Sequence, residues 1–231
     1  MNKAITVIVP AYNEQELIAG CLDTLINQSL DRDQYEIIVI DNQSTDLTTQ
    51  IVAEKGIRVE KEPQKGYVHA IRRGIEVAGT EIVAFTDADC RVPQDWLNDI
   101  LEHFVNEQDV IGVGGKLSFY DIHPLSNLFA RSVLYFNKAL PGNNMAIRRE
   151  AIERIGGIDP TVNLTLDYWL TVKLRRVGKL KIDRKLVVMT SGRRFKKSFT
   201  SDIKYFINVI SIFVISKPVF YEFPDIRDNV N

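Results

Sequence analysis

The fold is decided by the segment Glu81-Ile82-Val83-Ala84-Phe85-Thr86-Asp87-Ala88-Asp89, in which a short apolar strand runs directly into two carboxylates. Two carboxylates one residue apart repel each other unless a positive charge lies between them. Mg²⁺ takes one or two carboxylates and completes its coordination shell with phosphate oxygens and water. Because α/β proteins bind ligands at the carboxyl ends of their strands, a nucleotide diphosphate beside the cation is expected. An aspartate-rich turn that caps the next helix is the alternative interpretation.

Strand-like and helix-like segments alternate on both sides of this stretch. Buried strands are predicted at residues 5–9, 36–40, 57–61 and 81–85. The spacing of apolar residues after them predicts helices over 17–26, from about 46, over 67–78 and over 93–105. Repeated strand–helix units predict a single α/β domain with a Rossmann-type, mixed but mostly parallel sheet and helices on both faces.

The regular alternation of strand and helix ends after about residue 110. A glycine-containing strand is predicted at 110–119, a helix at 124–136, a segment with a basic helix start at 145–155, a helix at 166–177 and a strand at 180–189. We place a boundary near residue 115. It separates residues 1–115 from residues 116–197, and an apolar tail follows (198–231).

The composition is that of an ordinary globular protein, with 231 residues, 45% hydrophobic and 26% charged. A formal net charge of −1 gives no reason to expect nucleic acid as a partner. This balance hides a basic segment, residues 173–204, with twelve Lys or Arg and two Asp. Cys21 and Cys90 have neither a metal-binding spacing nor a disulfide framework. The low cysteine count and the absence of a visible signal peptide predict a cytoplasmic location.

Polar residues follow each of the early strands. Tyr12 and Glu14 lie at a helix N-terminus, where backbone N–H groups attract anions, and Tyr12 is placed to stack on a base. Asp41 ends the second strand and is expected to accept a hydrogen bond from a base. Lys65 starts the third helix and is expected to neutralise a diphosphate. Helix capping by Asn13 and a merely solvated Lys65 are the alternatives. The chain carries no Gly-x-Gly-x-x-Gly and no phosphate-loop lysine motif, which argues against dehydrogenases and P-loop enzymes.

Four segments occur in an order that is specific for one enzyme family. They read Val7-Ile8-Val9-Pro10-Ala11-Tyr12-Asn13-Glu14, then Val39-Ile40-Asp41-Asn42-Gln43-Ser44-Thr45-Asp46, then Asp87-Ala88-Asp89, then Gly142-Asn143-Asn144-Met145-Ala146-Ile147-Arg148-Arg149 with Gly156-Gly157-Ile158-Asp159. Together they resemble the family 2 glycosyltransferases of the GT-A fold, from about residue 4 to about residue 195. The resemblance implies a nucleotide-sugar donor and a sugar transfer with inversion. It also implies that residues 1–115 form the donor-binding half, and that residues 116–197 form the acceptor-binding half with the catalytic base.

The resemblance also implies roles for residues at the strand ends. Those expected to contact the nucleotide-sugar are Pro10, Tyr12 and Glu14 around the nucleoside, Asp41 on the base, Lys65 near the phosphates and Asp87 towards the ribose or sugar. Asp89 is expected to bind Mg²⁺ or Mn²⁺, with Asp87 as the other carboxylate. The family usually has two acids in its second motif, where this chain has Asp41-Asn42.

Inversion needs one general base that deprotonates the acceptor hydroxyl as it attacks the anomeric carbon. In the resembling family this base belongs to a Glu-Asp pair that opens a helix. The match here is Leu166-Asp167, followed by Tyr168-Trp169-Leu170. Asp167 is therefore expected to be the base, although Leu166 replaces the glutamate. Helix capping by Asp167 is the alternative, and both roles are compatible.

Two adjacent arginines, Arg193 and Arg194, follow the last predicted strand and resemble an element found there in some of these enzymes. They are expected to contact the donor diphosphate or an anionic acceptor, and a solvated basic loop is the alternative. The histidines pair with no serine or cysteine in a readable triad, and His123 is a weak candidate for a metal ligand.

The tail from residue 198 is too apolar for a free surface helix. It is expected to form an apolar C-terminal helix that packs on the domain, on a second copy in a homodimer, or in a membrane interface. Its apolar run is too short to span a bilayer, which takes roughly 20 residues. The basic segment upstream favours the cytoplasmic face of a membrane as a peripheral location.

These expectations describe a metal-dependent enzyme that moves a sugar, from a UDP-sugar as the commoner donor in the family, to a hydroxyl acceptor. A lipid-linked or polysaccharide-precursor glycan of the cell envelope is the expected acceptor. A metal-dependent nucleotidyltransferase would also use paired acids, but it has no use for the Asp167 helix. A non-catalytic nucleotide-sugar-binding or membrane scaffold protein is the other alternative, because Leu166 replaces an acid.

Overall fold

The computed structural model describes residues 3–122, 139–162 and 165–193. The strands within them are β1 (Ile5–Ala11), β2 (Tyr35–Asp41), β3 (Arg58–Lys61), β4 (Ile82–Phe85), β5 (Cys90–Arg91), β6 (Val110–Phe119), β7 (Met145–Arg148) and β8 (Lys179–Thr190). The α-helices are α1 (Ile18–Ile26), α2 (Thr48–Glu54), α3 (Tyr67–Val77), α4 (Trp96–Asn106), α5 (Arg149–Arg154) and α6 (Leu166–Leu174). The strands form one sheet in the order β3-β2-β1-β4-β7-β6-β8-β5.

The first half of the sheet is parallel, as predicted. β1 lies between β2 and β4 and runs parallel to both, and β3 extends the sheet beside β2 in the same direction. All seven residues of β1 are buried. A strand covered on both faces needs an almost continuous apolar run. Residues 5–9, which are all apolar except Thr6, have this character.

The second half of the sheet is mixed because of β7. This strand pairs antiparallel with both β4 and β6, while β8 runs parallel to β6. The sequence predicted only a basic helix start in this region, and the structure adds a strand of four residues directly before α5. The two-residue β5 was not predicted either. Residue 115, the predicted boundary between the halves, lies within β6.

Helices cover both faces of the sheet, as predicted. One apolar core contains Val7 and Val9 of β1 together with side chains of α1, α2 and α4. The other contains Ile8 with side chains of α3, α5 and α6. Successive residues of β1 thus feed opposite cores, which is the two-residue period of a strand.

Several expectations fall outside the described residues. They are the helix at 124–136, the histidine at 123, Arg194 and the apolar tail from 198. In the part of the chain that the structure does describe, no helix combines the length and the apolar character needed to cross a bilayer.

One buried amide ties α4, β6 and β8 to the turn before β7. Asn144 is 0% exposed, and its Oδ1 accepts a hydrogen bond from Trp96 Nε1 at 2.9 Å. Its Nδ2 donates to the backbone carbonyls of Lys116 at 2.9 Å and Leu186 at 3.0 Å. Buried polar groups must be paired, so this side chain holds three elements in register.

We expect Asn144→Ala to lower the free energy of unfolding by about 2–4 kcal/mol, because it leaves buried donors and acceptors unpaired. The neighbouring Asn143, which is half-exposed, provides the control. Asn143→Ala should change the free energy by no more than about 0.5 kcal/mol. Urea denaturation measures both, and equal losses would contradict the role given to Asn144.

Candidate active site

Reciprocal hydrogen bonds join the loops that follow β1 and β2. Asn13 has a positive φ of 51°, and its Oδ1 accepts a hydrogen bond from the Thr45 N–H at 2.9 Å. In return, Ser44 Oγ accepts from the Asn13 N–H at 3.0 Å, and Thr48 Oγ1 accepts from the Glu14 N–H at 2.8 Å. Asn13 therefore bonds the neighbouring loop and leaves the start of α1 without a side-chain cap.

The residues expected around the nucleoside lie at this edge. Pro10 is buried within β1. Asp41 is 5% exposed, and its Oδ1 accepts a hydrogen bond from the Ser44 N–H at 3.1 Å. Asp46 accepts from the Thr48 N–H at 3.0 Å. Burial opposes ionisation of Asp46, but its hydrogen bonds outweigh this and lower its pKa.

Lys65 and Tyr12 meet on the rim of the same edge. Lys65 Nζ lies 3.2 Å from Tyr12 Oη and 4.6 Å from the centre of its ring. The residue expected near the phosphates and the residue expected on the base are therefore neighbours. A cation over an aromatic face is a favourable contact, and it keeps the ammonium group beside the sheet edge.

Asn42 explains why this chain departs from the two acids of the family motif. Its Nδ2 donates to the backbone carbonyls of Glu62 at 3.1 Å and Gln64 at 2.8 Å, and its Oδ1 accepts from the Gly66 N–H at 2.7 Å. A carboxylate could accept the last bond but could donate neither of the others. The amide thus fixes the loop that carries Lys65, in which Gly66 takes a φ of 138° that favours glycine.

Tyr67 connects the first aspartate of the acidic pair to the predicted base. Its Oη lies 3.3 Å from Asp87 Oδ1. A Cβ placed on Gly142 would stand 3.5 Å from Tyr67 Oη and 3.6 Å from Asp167 Cβ, so both residues border one gap. Burial, followed by the charges of Asp87 and Asp167, raises the pKa of Tyr67, which therefore keeps its proton. Sequence reasoning missed this residue.

Arg193 connects the second aspartate to the first loop. Its Nη2 lies 2.5 Å from Glu14 Oε1 and 3.4 Å from Asp89 Oδ2. Burial would lower the pKa of Arg193, but the hydrogen bond and charge of Glu14, with the charge of Asp89, raise it. Asp89 Oδ1 also accepts from Thr190 Oγ1 at 3.2 Å. The predicted contact residues Glu14, Asp89 and Arg193 thus meet, although 179 residues separate the first and the last.

The cysteines lie beneath the acidic pair. Cys21 Sγ donates to the backbone carbonyl of Asp87 at 3.3 Å, and both Cys21 and Cys90 are buried. Burial raises the pKa of Cys21 and of Cys90, and the charges of Asp87 and Asp89 raise both further. The thiols therefore stay protonated, which agrees with a packing role and indicates a negative potential at this edge.

The donor set suits a hard divalent cation. Asp87 and Asp89 offer carboxylate oxygens, the ligands that Mg²⁺ and Mn²⁺ prefer. Among the described residues, no three His, Cys, Asp or Glu side chains converge as a closed metal site. An acidic pair of this kind can bind a cation that takes its other ligands from phosphate and water.

Asp167 is half-buried at the second position of α6, within its first turn. A negative charge is favourable there because the helix dipole is positive at its N-terminus. Leu166 is 3% exposed and belongs to the apolar core beneath. The leucine that replaces the expected glutamate is therefore a packing residue, whereas Asp167 faces the gap beside Gly142.

Known proteins match this chain in sequence and in fold. The model of the family Glycosyl transferase family 2 matches residues 6–156. The glycosyltransferase AglE of Haloferax volcanii is 29% identical over 170 residues, which cover 66% of this chain and 55% of that protein. The beta-monoglucosyldiacylglycerol synthase of a Nostoc species is 27% identical, covering 71% of this chain and 42% of the synthase. The chain spans about half the length of the curated relatives it matches.

A solved structure extends the likeness to the fold. The mannosyltransferase PcManGT from Pyrobaculum calidifontis, in complex with GDP-Man and Mn²⁺, superposes with a TM-score of 0.69. The match is 25% identical and covers 83% of this chain and 57% of the mannosyltransferase.

The hydrogen bonds of Asn42 predict that Asn42→Asp lowers the free energy of unfolding by about 1–3 kcal/mol, because the backbone carbonyls of Glu62 and Gln64 lose their donor and a buried amide becomes a carboxylate. The exposed Asn98 is the control, since its amide donates only to Ser29 Oγ at the surface. Asn98→Asp should stay within about 0.5 kcal/mol of the wild type. If urea denaturation shows no difference between the two variants, the amide does not brace the loop.

Proposed function

The chain belongs to glycosyl transferase family 2, and from this we propose that it transfers a sugar from a nucleotide diphosphate to a hydroxyl acceptor, with inversion at the anomeric carbon. We propose a UDP-sugar as the donor. One observation carries the proposal: Tyr67 contacts Asp87 and borders the same gap as Asp167. An acidic pair suited to a cation and a candidate general base therefore lie within reach of one substrate.

The donor would lie across the carboxyl edge of the parallel strands. In this arrangement Tyr12 stacks on the base, Asp41 accepts from it, and Pro10 and Glu14 shape the floor beneath the nucleoside. Lys65 approaches the phosphates from the rim. Two loops held together by reciprocal hydrogen bonds form a preorganised surface, which lowers the entropic cost of binding.

Asp89 and Asp87 would hold Mg²⁺ or Mn²⁺, and the bound cation would supply charge stabilisation for the departing diphosphate. Arg193 lies beside Asp89, and we propose that it turns towards the diphosphate. Arg194, known only from the sequence, is proposed as a second contact to the diphosphate or to an anionic acceptor. A guanidinium presents its donors in a planar fork that matches phosphate oxygens. Its contact with Glu14 keeps it at this edge before the donor arrives.

Asp167 would act as the general base. It would take the proton of the acceptor hydroxyl while that oxygen attacks the anomeric carbon from the face opposite the diphosphate. The gap beside Gly142 is where we place the attacking hydroxyl. Asp167 lies in the first turn of α6, where the helix dipole favours a negative charge.

The acceptor we propose is a glycan or a lipid-linked precursor of a cell-envelope polysaccharide. One relative is named as a synthase of beta-monoglucosyldiacylglycerol. The tail from residue 198 is rich in aromatic and branched apolar residues. We propose that it docks on the cytoplasmic face of a membrane beside such an acceptor, with a homodimer through the tail as the alternative.

The two other functions considered from the sequence make different use of these residues. A nucleotidyltransferase needs the acidic pair but not Asp167 beside the gap. A non-catalytic binding protein needs neither Asp167 nor its approach to Tyr67. The position of Asp167 favours sugar transfer over both alternatives. Leu166, which stands where the family has a glutamate, packs in the apolar core, and Asp167 keeps its place at the start of the helix.

The test combines thermal stability with donor cleavage for UDP, GDP and their sugars, with and without Mn²⁺. A ligand at one hundred times its Kd raises the stability of the folded state by about 2.7 kcal/mol. Asp89→Asn should abolish the Mn²⁺-dependent part of the shift. Asp167→Asn should keep the shift but lower transfer at least a hundredfold. Full binding without turnover in the wild type would support the scaffold, and the absence of any shift would contradict the proposed donor.

The membrane proposal is tested by flotation of the full chain with vesicles. We expect the chain to float with anionic vesicles and less with neutral ones, since each basic residue near an anionic surface contributes about 1 kcal/mol. Replacing Phe206 and Phe213 by Ser should abolish flotation while leaving donor cleavage intact. A wild-type chain that stays unbound to both vesicles would contradict the proposal, and elution as a dimer would then favour the homodimer.

A further inference from the structure

Tyr67 is the first residue of α3, and its hydroxyl group lies in the middle of the candidate site. The hydroxyl group is 3.3 Å from Asp87 Oδ1. It also borders the gap over Gly142, on whose other side Asp167 lies. Tyr67 thus connects Asp87 of the acidic pair with the gap that Asp167 borders.

The position of this hydroxyl group is set by the fold. Gly66, directly before Tyr67, has a φ of 138°, and its N–H donates to the buried side chain of Asn42. The next turns of α3 are anchored in the core by Val68, Ala70 and Ile71, which are at most 1% exposed. The phenol therefore enters the site from a fixed helix start.

The gap itself is open because residue 142 has no side chain. A Cβ at Gly142 would lie in ordinary van der Waals contact with Tyr67 Oη and Asp167 Cβ, at 3.5 and 3.6 Å, and would clash with neither. A single methyl group would thus occupy the space between the two side chains.

We infer that Tyr67 is a positioning residue for the transfer reaction. Its hydroxyl group donates to Asp87 Oδ1 and thereby fixes the orientation of this carboxylate, and it borders the same gap as Asp167. The spacing between the cation-binding acid and the base is then fixed before substrate arrives. The inference rests on the proposed function and adds a residue to it.

The chemistry explains why a phenol suits this place. Asp87 and Asp167 are both close enough for their charges to act on Tyr67, and like charges repel each other. A neutral donor on a rigid ring satisfies one carboxylate without adding a charge that would compete with the cation. Loss of one such hydrogen bond to a charged group corresponds to about a tenfold change in an equilibrium constant.

The test is Tyr67→Phe, which removes the hydroxyl group and keeps the ring. Titration of Mn²⁺ in the presence of UDP, followed calorimetrically or by the electron paramagnetic resonance of Mn²⁺, should show binding weakened about tenfold. Binding of UDP without Mn²⁺ should be unchanged. The rate of transfer should fall by at least as much as Mn²⁺ binding.

Tyr35→Phe is the matched control. Tyr35 is 0% exposed, and its hydroxyl group donates to the Leu25 carbonyl at 2.9 Å in the core. This variant should unfold at lower urea concentration and keep its affinity for Mn²⁺ with UDP. Tyr67→Phe should show the reverse pattern. If both variants lose only stability, Tyr67 is a structural residue and the inference is wrong.

Gly142→Ala gives a second measurement that does not depend on Tyr67→Phe. The methyl group fills the gap, so transfer should fall at least tenfold while binding of UDP and Mn²⁺ stays within twofold of wild type. Unchanged transfer would overturn the inference alone. A wild-type protein that binds Mn²⁺ with neither UDP nor GDP would overturn the proposed function, and the inference with it.

Discussion

The mutual repulsion of carboxylates gathered at one sheet edge is the constraint on which the rest of this structure depends. Glu14, Asp41, Asp87 and Asp89 all lie at or just after the carboxyl ends of parallel strands. Such a cluster needs neutral donors and cations around it. The chain supplies them locally, with Ser44 on Asp41, Tyr67 on Asp87 and Arg193 between Glu14 and Asp89. Arg193, which follows β8, thereby contacts the loop after β1.

This arrangement also explains the choice of small and amide side chains nearby. Asn42 offers donors and an acceptor that an acid would not, and it sets the loop that ends in Gly66. Gly142 leaves open the space that Tyr67 and Asp167 border. The catalytic proposal therefore depends as much on residues that hold backbone and leave room as on the acids themselves.

The sequence predicted the elements whose signal is local and missed those that depend on distant partners. β1 and β2 contain short apolar runs and α3 has apolar residues at helical spacing. Their predicted and observed bounds agree within two residues. β7 has only four residues before a helix start, and only pairing with β4 and β6 makes it a strand. The strand-end acids lie at the sheet edge where the sequence placed them, and their roles in the site stay predictions. The contact of Arg193 with Glu14 follows from tertiary structure, and Tyr67 resembled an ordinary helix residue because its partner Asp87 is twenty positions away. Arg194 and the tail stay predictions.

The link between Arg193 and Glu14 has a consequence for how the molecule is made. A ribosome synthesises β1 and its acidic loop before β8, and the guanidinium that contacts Glu14 follows 179 residues later. The nascent chain can pack the parallel strands early, but the charge at their edge reaches its final balance only when the end of β8 has left the exit tunnel. Assembly of the binding edge therefore has to wait for the segment that follows β8, whereas the parallel strands can pack before that segment is made.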